Sequence, residues 1–129
     1  MLLINFSLPL NQGQLRQAES LLRESIDQVI NFPIHLDSDL PILPQFKIAM
    51  KEFPLPAEKV RIEPVVVILP AANYLAALIL AELHAWMDYF PIILRIRMQP
   101  YSLPPRYEVA ELINLQETED SSARGFNLG

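Results

Sequence analysis

The 129-residue chain has no cysteine, only three glycines and only two histidines. The lack of cysteine excludes disulfides, thiolate catalysis and zinc sites of the cysteine type. Neither a Gly-x-Gly-x-x-Gly sequence nor a phosphate-loop lysine motif is present, which disfavours the usual dinucleotide and nucleoside-triphosphate sites. His35 and His84 are too few for a histidine-rich metal centre, and no carboxylate cluster resembles a divalent-metal site. We therefore expect neither a metal ion nor a cofactor.

Positive charge and long apolar runs are also scarce. Ten Lys and Arg stand against 15 Asp and Glu, so the net charge is −5. Affinity for long nucleic acids is not expected, because it needs a large positive field, but a small anion can still find a locally positive pocket. The most apolar stretch, residues 74–81, is far shorter than the roughly 20 residues that cross a bilayer. Because no signal-peptide pattern is visible either, we expect a cytoplasmic, soluble protein without a membrane partner.

The length and the apolar content favour one domain with a partner. Hydrophobic residues make up 51% and charged residues 19% of the chain, whereas soluble domains typically have about 45–50% and 25%. We expect a single domain over residues 1–115 and a polar, flexible tail over 116–129. The apolar excess indicates that some surface is buried in a partner, most simply a second copy of the chain.

Strand and helix patterns alternate along the chain. Strands are predicted over residues 2–6, 27–36, 65–69, 92–98 and 106–115, and helices over 12–24, 46–53 and 72–90. Pro33 makes the second strand an edge strand or a bulged one. The order β-α-β-α-β-α-β-β predicts a three-layer α/β fold, mostly parallel, with an antiparallel C-terminal hairpin at its edge.

Two loops are candidates for a ligand site, because ligands of open α/β sheets bind beyond the carboxyl ends of the strands. Residues 5–11 join the first strand to the first helix, and residues 69–73 join the third strand to the third helix. Each loop offers small or amide side chains and backbone N–H groups at a helix start, where anions bind. Asn11 and Asn73 are equally well explained as helix caps. Ser7 is less easily explained as a helix cap, because it directly follows a buried strand.

His84 and Asp88 lie four residues apart on the third predicted helix and therefore share a face. A histidine oriented by a carboxylate can act as a general base. Their position in the middle of a helix, away from the loop end of the sheet, favours a structural or interface role instead.

Three arginines also carry two interpretations. Arg95 and Arg97 share one face of the fourth strand, and Arg106 begins the fifth. Arginines arranged in this way can hold phosphates through bidentate hydrogen bonds. They can equally form a solvated sheet edge, paired with Glu108 and Glu111.

Three segments, taken together, resemble a family of small accessory proteins of type III CRISPR systems. The first is Leu-Ile-Asn-Phe-Ser at 3–7 with Pro-Leu at 9–10. The second is Leu-Ala-Glu-Leu-His at 80–84, followed by Met87 and by Tyr-Phe-Pro at 89–91. The third is Pro-Pro-Arg-Tyr-Glu-Val-Ala-Glu at 104–111. The resemblance implies a Rossmann-like fold related to the CARF domains.

The resemblance also implies a ligand, the cyclic tetra-adenylate ring that serves as an antiviral second messenger. Related small proteins either cleave this ring as nucleases or sequester it as sponges, and their dimers match a two-fold ligand to a two-fold site. Carried over by position, the first loop and the second loop would form two walls of the pocket, and one arginine would contact phosphate. The implied ligand-binding residues are Asn5, Phe6, Ser7, Asn11, Pro70, Ala71, Asn73 and Arg106.

Two positions depart from the family pattern and bear on mechanism. Leu8 stands where a histidine often follows the serine, and Asp88 stands where a glycine often precedes Tyr-Phe-Pro. Cleavage without metal needs the ribose 2′-OH in line with its own phosphate, and a cation or histidine beside that phosphate helps. The candidate loops contain neither, so we expect sequestration without turnover, with a metal-independent ring nuclease as the alternative. A dimeric interaction module without a nucleotide ligand is the hypothesis from a different class.

Overall fold

The computed structural model describes residues 1–117, which contain five strands, four helices that end within this range and a further helical stretch at 115–117. The sheet has the order β2-β1-β3-β4-β5, in which β5 alone runs antiparallel to its neighbour. The predicted α/β class with an antiparallel C-terminal pair is therefore confirmed, and the topology is compatible with a Rossmann-like fold. The predicted tail, 116–129, lies almost entirely outside the described residues. The elements are β1 (Leu2–Asn5), α1 (Gln12–Leu22), β2 (Gln28–Asn31), α2 (Ile42–Lys51), α3 (Ala57–Ile62), β3 (Val65–Ile68), α4 (Asn73–Met87), β4 (Ile92–Met98) and β5 (Tyr107–Asn114).

The two central strands, β1 and β3, are buried along their whole length. Continuous apolar runs of this kind are typical of parallel strands that helices cover on both faces. β2 lies at the edge of the sheet, as Pro33 predicted, but it ends at Asn31, well before residue 36. Its four residues pair one to one with the four residues of β1, and beyond Asn31 one more bond joins the two segments, from the N–H of Phe32 to the C=O of Asn5 at 2.8 Å.

The helix boundaries follow local signals in most places. Asn11 is the N-cap of α1, as predicted, and forms a capping box with Gln14. The interpretation of Asn73 as the cap of α4, one of the two that the sequence allowed, is wrong by one residue. Ala72 occupies the N-cap, and the Oδ1 atom of Asn73, the first helical residue, accepts a hydrogen bond from the N–H of Tyr74 at 2.7 Å. No helix within residues 1–117 combines the length and apolarity that a membrane span requires.

One helix was not predicted. α3 has six residues and follows Pro56, which occupies its N-cap position. Six residues are less than two helical turns, too few for a 3.6-residue periodicity to appear in the sequence. Its Val60 is completely buried, so tertiary packing stabilises a helix that its length alone would leave marginal.

Two apolar clusters form the core, one on each face of the sheet. On one face, residues of α2, α3 and α4 pack against alternate residues of the strands, such as Ile4 and Val67. On the other face, α1 contributes Ala18 to a smaller cluster with Val66 and Leu94. The two-residue period of a strand sends neighbouring side chains to opposite faces, which is why both clusters draw on the same strands.

The β4–β5 hairpin extends beyond the rest of the sheet. β3 pairs with β4 only through Val66–Ile92 and Val67–Ile93, whereas β4 and β5 pair along their whole length. Two ion pairs cross the hairpin, Arg95–Glu111 at 2.6 Å and Arg97–Glu108 at 2.8 Å. The predicted pairing of these two arginines with Glu108 and Glu111 is therefore confirmed, although the edge strand is β5 and not β4. Both pairs lie at the surface, with Glu108 partly buried, and each is worth about 0–1 kcal/mol.

Replacing Ile79 with alanine tests the larger core cluster. Ile79 is completely buried in α4, so Ile79→Ala should lower the free energy of unfolding by about 2–5 kcal/mol in urea titrations. Ile62, 79% exposed at the end of α3, is the matched control, and Ile62→Ala should change stability by less than about 0.5 kcal/mol. Equal losses in the two variants would contradict this assignment of the core.

Candidate functional site

A cavity of about 580 Å³ opens where β1 and β3 end. These strands are neighbours, and the chain leaves them in opposite directions, toward β2 on one side and β4 on the other. The cavity therefore lies at the topological switch point of the sheet, where open α/β proteins bind their ligands. Both of the loops predicted from the sequence reach it, through Ser7 and Ala71.

The lining is mostly apolar, with a few polar groups. Ser7, Gln14, Arg95 and Tyr107 supply the polar side chains. This composition is typical of sites that bind a ligand through broad apolar contact and orient it through a few hydrogen bonds. The apolar lining consists of Leu8, Pro9, Leu10, Ile68, Leu69, Ala71, Ile93, Leu94 and Ile96.

One wall of the cavity is an unpaired strand edge. β3 ends at Ile68, so β4 has no strand neighbour on that side beyond Ile93. The N–H of Gln99 donates to the C=O of Arg106 across the hairpin, and inward and outward groups alternate along an antiparallel pair. The backbone N–H and C=O of Ile96, three residues before Gln99, therefore point away from β5 and toward the cavity. These groups are a donor and an acceptor that a ligand can use.

The buried side chain of Asn5 holds the backbone of the first loop through two hydrogen bonds. This side chain is fully buried, and its Nδ2 donates to the C=O of Leu8 at 2.8 Å while its Oδ1 accepts the N–H of Ser7 at 2.9 Å. Phe6 also points into the core, where its ring meets the edge of Phe32 at a centroid distance of 6.3 Å. Both residues thus hold the loop that carries Ser7, and neither lines the cavity.

A shallower groove of about 550 Å³ adjoins the cavity and shares Pro9, Gln14 and Tyr107 with it. Asn11 and Arg106 lie in this groove. The side-chain amide of Asn11 serves the capping box. The guanidinium of Arg106 has no hydrogen bond or ion pair with any residue of 1–117, so it is available to an anion.

The predicted site residues thus fall into four groups. Ser7 and Ala71 line the cavity, Asn11 and Arg106 line the groove, and Asn5 and Phe6 support the first loop. Pro70 and Asn73 line neither. Sequence reasoning missed Gln14 and Tyr107, although the Asn-x-x-Gln spacing at 11–14 is a recognisable capping-box signal.

His84 and Asp88 lie outside both concavities. The His84 ring packs on Phe90 at a centroid distance of 4.5 Å, and no hydrogen bond joins the two side chains in the described part of the chain. Asp88 ends α4 in the left-handed conformation, with φ of 65°, and its N–H donates to the C=O of His84. The C=O of His84 and the N–H of Asp88 thus form the bond that closes the C-terminus of α4. This is a structural role, as their position in the sequence favoured.

Within residues 1–117, no group of three or more His, Asp or Glu side chains is arranged to hold a metal ion. Comparison with known proteins found no matching family model, no similar curated protein and no similar solved structure.

Substitution of Asn5 tests how the first loop is held. Asn5→Leu keeps the branched shape and the number of side-chain heavy atoms but leaves the N–H of Ser7 and the C=O of Leu8 without their partners, at a cost of about 1–3 kcal/mol in the free energy of unfolding. Hydrogen exchange at the Ser7 amide should also become faster. Asn31→Leu, on the exposed surface of β2, should change neither quantity. An Asn5→Leu protein as stable as the wild type would show that the amide does not hold the loop.

Proposed function

We propose that this chain binds and sequesters cyclic tetra-adenylate, as a CARF-like accessory protein of type III CRISPR signalling. The observation that carries the proposal is the cavity at the switch point, which both sequence-predicted loops reach through Ser7 and Ala71. Arg106, which the resemblance implies as the phosphate contact, lies in the adjoining groove.

The chemistry of the two concavities suits an oligonucleotide ring. Tyr107 lies where the cavity meets the groove, half exposed, and stacking of a base on an aromatic ring contributes about 1–3 kcal/mol. The guanidinium of Arg106 matches a phosphate in shape and charge. The backbone groups of Ile96 can pair with the donor and acceptor on the edge of a base.

A second copy of the chain is part of the proposal. Pockets of about 300–1,000 Å³ enclose drug-sized ligands, and a ring of four nucleotides is larger than that class. One cavity of about 580 Å³ holds only part of the ring, so two cavities related by a two-fold axis would share it. The exposed apolar side chains near the cavity mouth and on the hairpin suit burial against a partner. They are Leu8, Met98, Tyr101, Leu103 and Tyr107.

Sequestration is favoured over cleavage by the groups around the cavity. No histidine or lysine is among the described residues that line the cavity or the groove. Arg95 reaches the cavity, but its guanidinium is paired with Glu111 at 2.6 Å. A positioned acid or base contributes about 10²–10⁴-fold to a rate, histidine most often, and the described lining offers no histidine or lysine to a leaving 5′-oxygen.

Incubation of the purified protein with labelled cyclic tetra-adenylate, without metal and with protein in excess, tests the proposal. Half of each sample is resolved on a native gel and half on a denaturing gel over several hours. We expect a shifted band with an intact ring, and one ring per two chains by light scattering. Linear products would instead establish the ring nuclease. No shift at any concentration would reject the ligand and leave the interaction module.

The variant Ser7→Trp tests whether the ring binds in the cavity. An indole at position 7 fills the cavity, so binding should be lost while the melting temperature and the dimer are retained. Ser38→Trp, in the exposed loop after β2 and outside both the cavity and the groove, is the control and should bind as the wild type does. At 100 times its Kd the ring should stabilise the wild type and the control by about 2.7 kcal/mol. Binding by Ser7→Trp at wild-type affinity would reject this location.

Substitution of Arg106 tests the phosphate contact. Arg106→Ala should weaken ring binding by about tenfold to a hundredfold, since hydrogen bonds to charged groups contribute about 1.5–3 kcal/mol. Arg106→Lys keeps the charge but cannot form the bidentate hydrogen bonds, so its affinity for the ring should lie between those of the wild type and Arg106→Ala. Lys59→Ala removes an exposed cation from α3 and should leave the affinity unchanged. If Lys59→Ala weakens binding as much as Arg106→Ala, the effect is one of overall charge and Arg106 is not a contact.

A further inference from the structure

Two glutamines of α1 hold the β4–β5 hairpin. The Nε2 of Gln14 donates to the C=O of Tyr107 at 2.9 Å, and the Oε1 of Gln17 accepts the N–H of Val109 at 3.3 Å. We name these two contacts the glutamine clasp. They join residues more than 90 positions apart in the chain.

The clasp binds the outer edge of β5. Arg106 accepts a hydrogen bond from Gln99 across the hairpin, so its C=O points inward. Backbone groups alternate between the two sides of an antiparallel strand, and Tyr107 and Val109 therefore point theirs away from β4. The two glutamine amides occupy the places that a sixth strand would take, and they fix the hairpin to α1.

Gln14 has a second function that Gln17 lacks. The side-chain Oε1 of Gln14 accepts a hydrogen bond from the backbone N–H of Asn11 at 2.9 Å. The backbone N–H of Gln14 donates to the Oδ1 of Asn11 at 2.8 Å. One side-chain amide thus bonds the start of α1 through its oxygen and the hairpin through its nitrogen. Gln14 also lines both the cavity and the groove.

We propose that Gln14 is the positioning residue of the site. It fixes the distance between the first loop, which carries Ser7, and the hairpin wall, which carries Tyr107 and Arg106. With the hairpin held, Arg106 meets a ligand without first being ordered, and binding is tighter because that ordering has no cost at association. The inference rests on the proposed function, because the ligand is the ring proposed above.

The variant Gln14→Glu separates the two functions of the side chain. Glutamate is a usual partner in a capping box, and a carboxylate in the first turn also suits the helix dipole. The helix start should therefore be kept. A carboxylate has no N–H to donate, and its oxygen would face the C=O of Tyr107, so the contact with the hairpin should be lost.

Gln12→Glu is the matched control, because it adds the same charge to the same helical turn at an exposed side chain outside both concavities. Three quantities are compared: the melting temperature, hydrogen exchange at Val109 without ligand, and the affinity for cyclic tetra-adenylate. We expect both variants to melt as the wild type does. In Gln14→Glu alone, exchange at Val109 should be faster and affinity about tenfold weaker, equivalent to about 1.4 kcal/mol.

Each other outcome overturns a defined part of the inference. Unchanged exchange at Val109 would show that the amide of Gln14 does not hold the hairpin. If exchange at Val109 is faster in Gln14→Glu but its affinity for the ring equals that of Gln12→Glu, the contact of Gln14 with the hairpin is structural and does not position the ligand. If the wild type itself does not bind the ring, the proposed function fails and the positioning role fails with it, while the exchange experiment still decides whether the clasp exists.

Discussion

The site depends on a difference in strand length. β3 ends at Ile68, where Pro70 follows, while β4 continues to Met98. Beyond Ile93 the backbone of β4 therefore has no neighbour toward the centre of the sheet, and the space left there is the cavity. The hairpin that forms its wall leaves the support of the sheet for the same reason. Its contacts with α1 replace the support that a longer β3 would have given.

Two side-chain amides, one buried and one at the surface, set the shape around this space. The amide oxygen and nitrogen of Asn5 both bond to the backbone of the first loop. The amide oxygen of Gln14 bonds to the start of α1, and its nitrogen bonds to the hairpin. Each joins backbone groups that no helix or strand would satisfy. Loops tied in this way are ordered before a ligand arrives, and the ordering is then a cost of folding and not of binding.

Local patterns predicted what local interactions determine. The bounds of β4, the edge position of β2 and the cap at Asn11 were all evident, because strand alternation, proline and capping chemistry act over a few residues. The cap at Asn73 failed by one position, since Ala72 and Asn73 both fit a helix start. The contact between Gln14 and Tyr107 could not be predicted, because it joins distant segments and depends on how the hairpin meets α1. The loops that reach the cavity were predictable from topology, whereas the hairpin wall was not.

The glutamine clasp has a consequence for the chain in a crowded solution. An exposed strand edge is a template on which another chain can pair, and natural proteins protect such edges against aggregation. The C=O of Tyr107 and the N–H of Val109, on the outer side of the edge strand β5, are already bonded to side chains of the same molecule. The opposite edge, β2, is only four residues long and gives little length for pairing. A strand that added to this part of β5 would meet two groups that are already bonded, so the glutamine clasp disfavours extension of the sheet by another chain at Tyr107 and Val109.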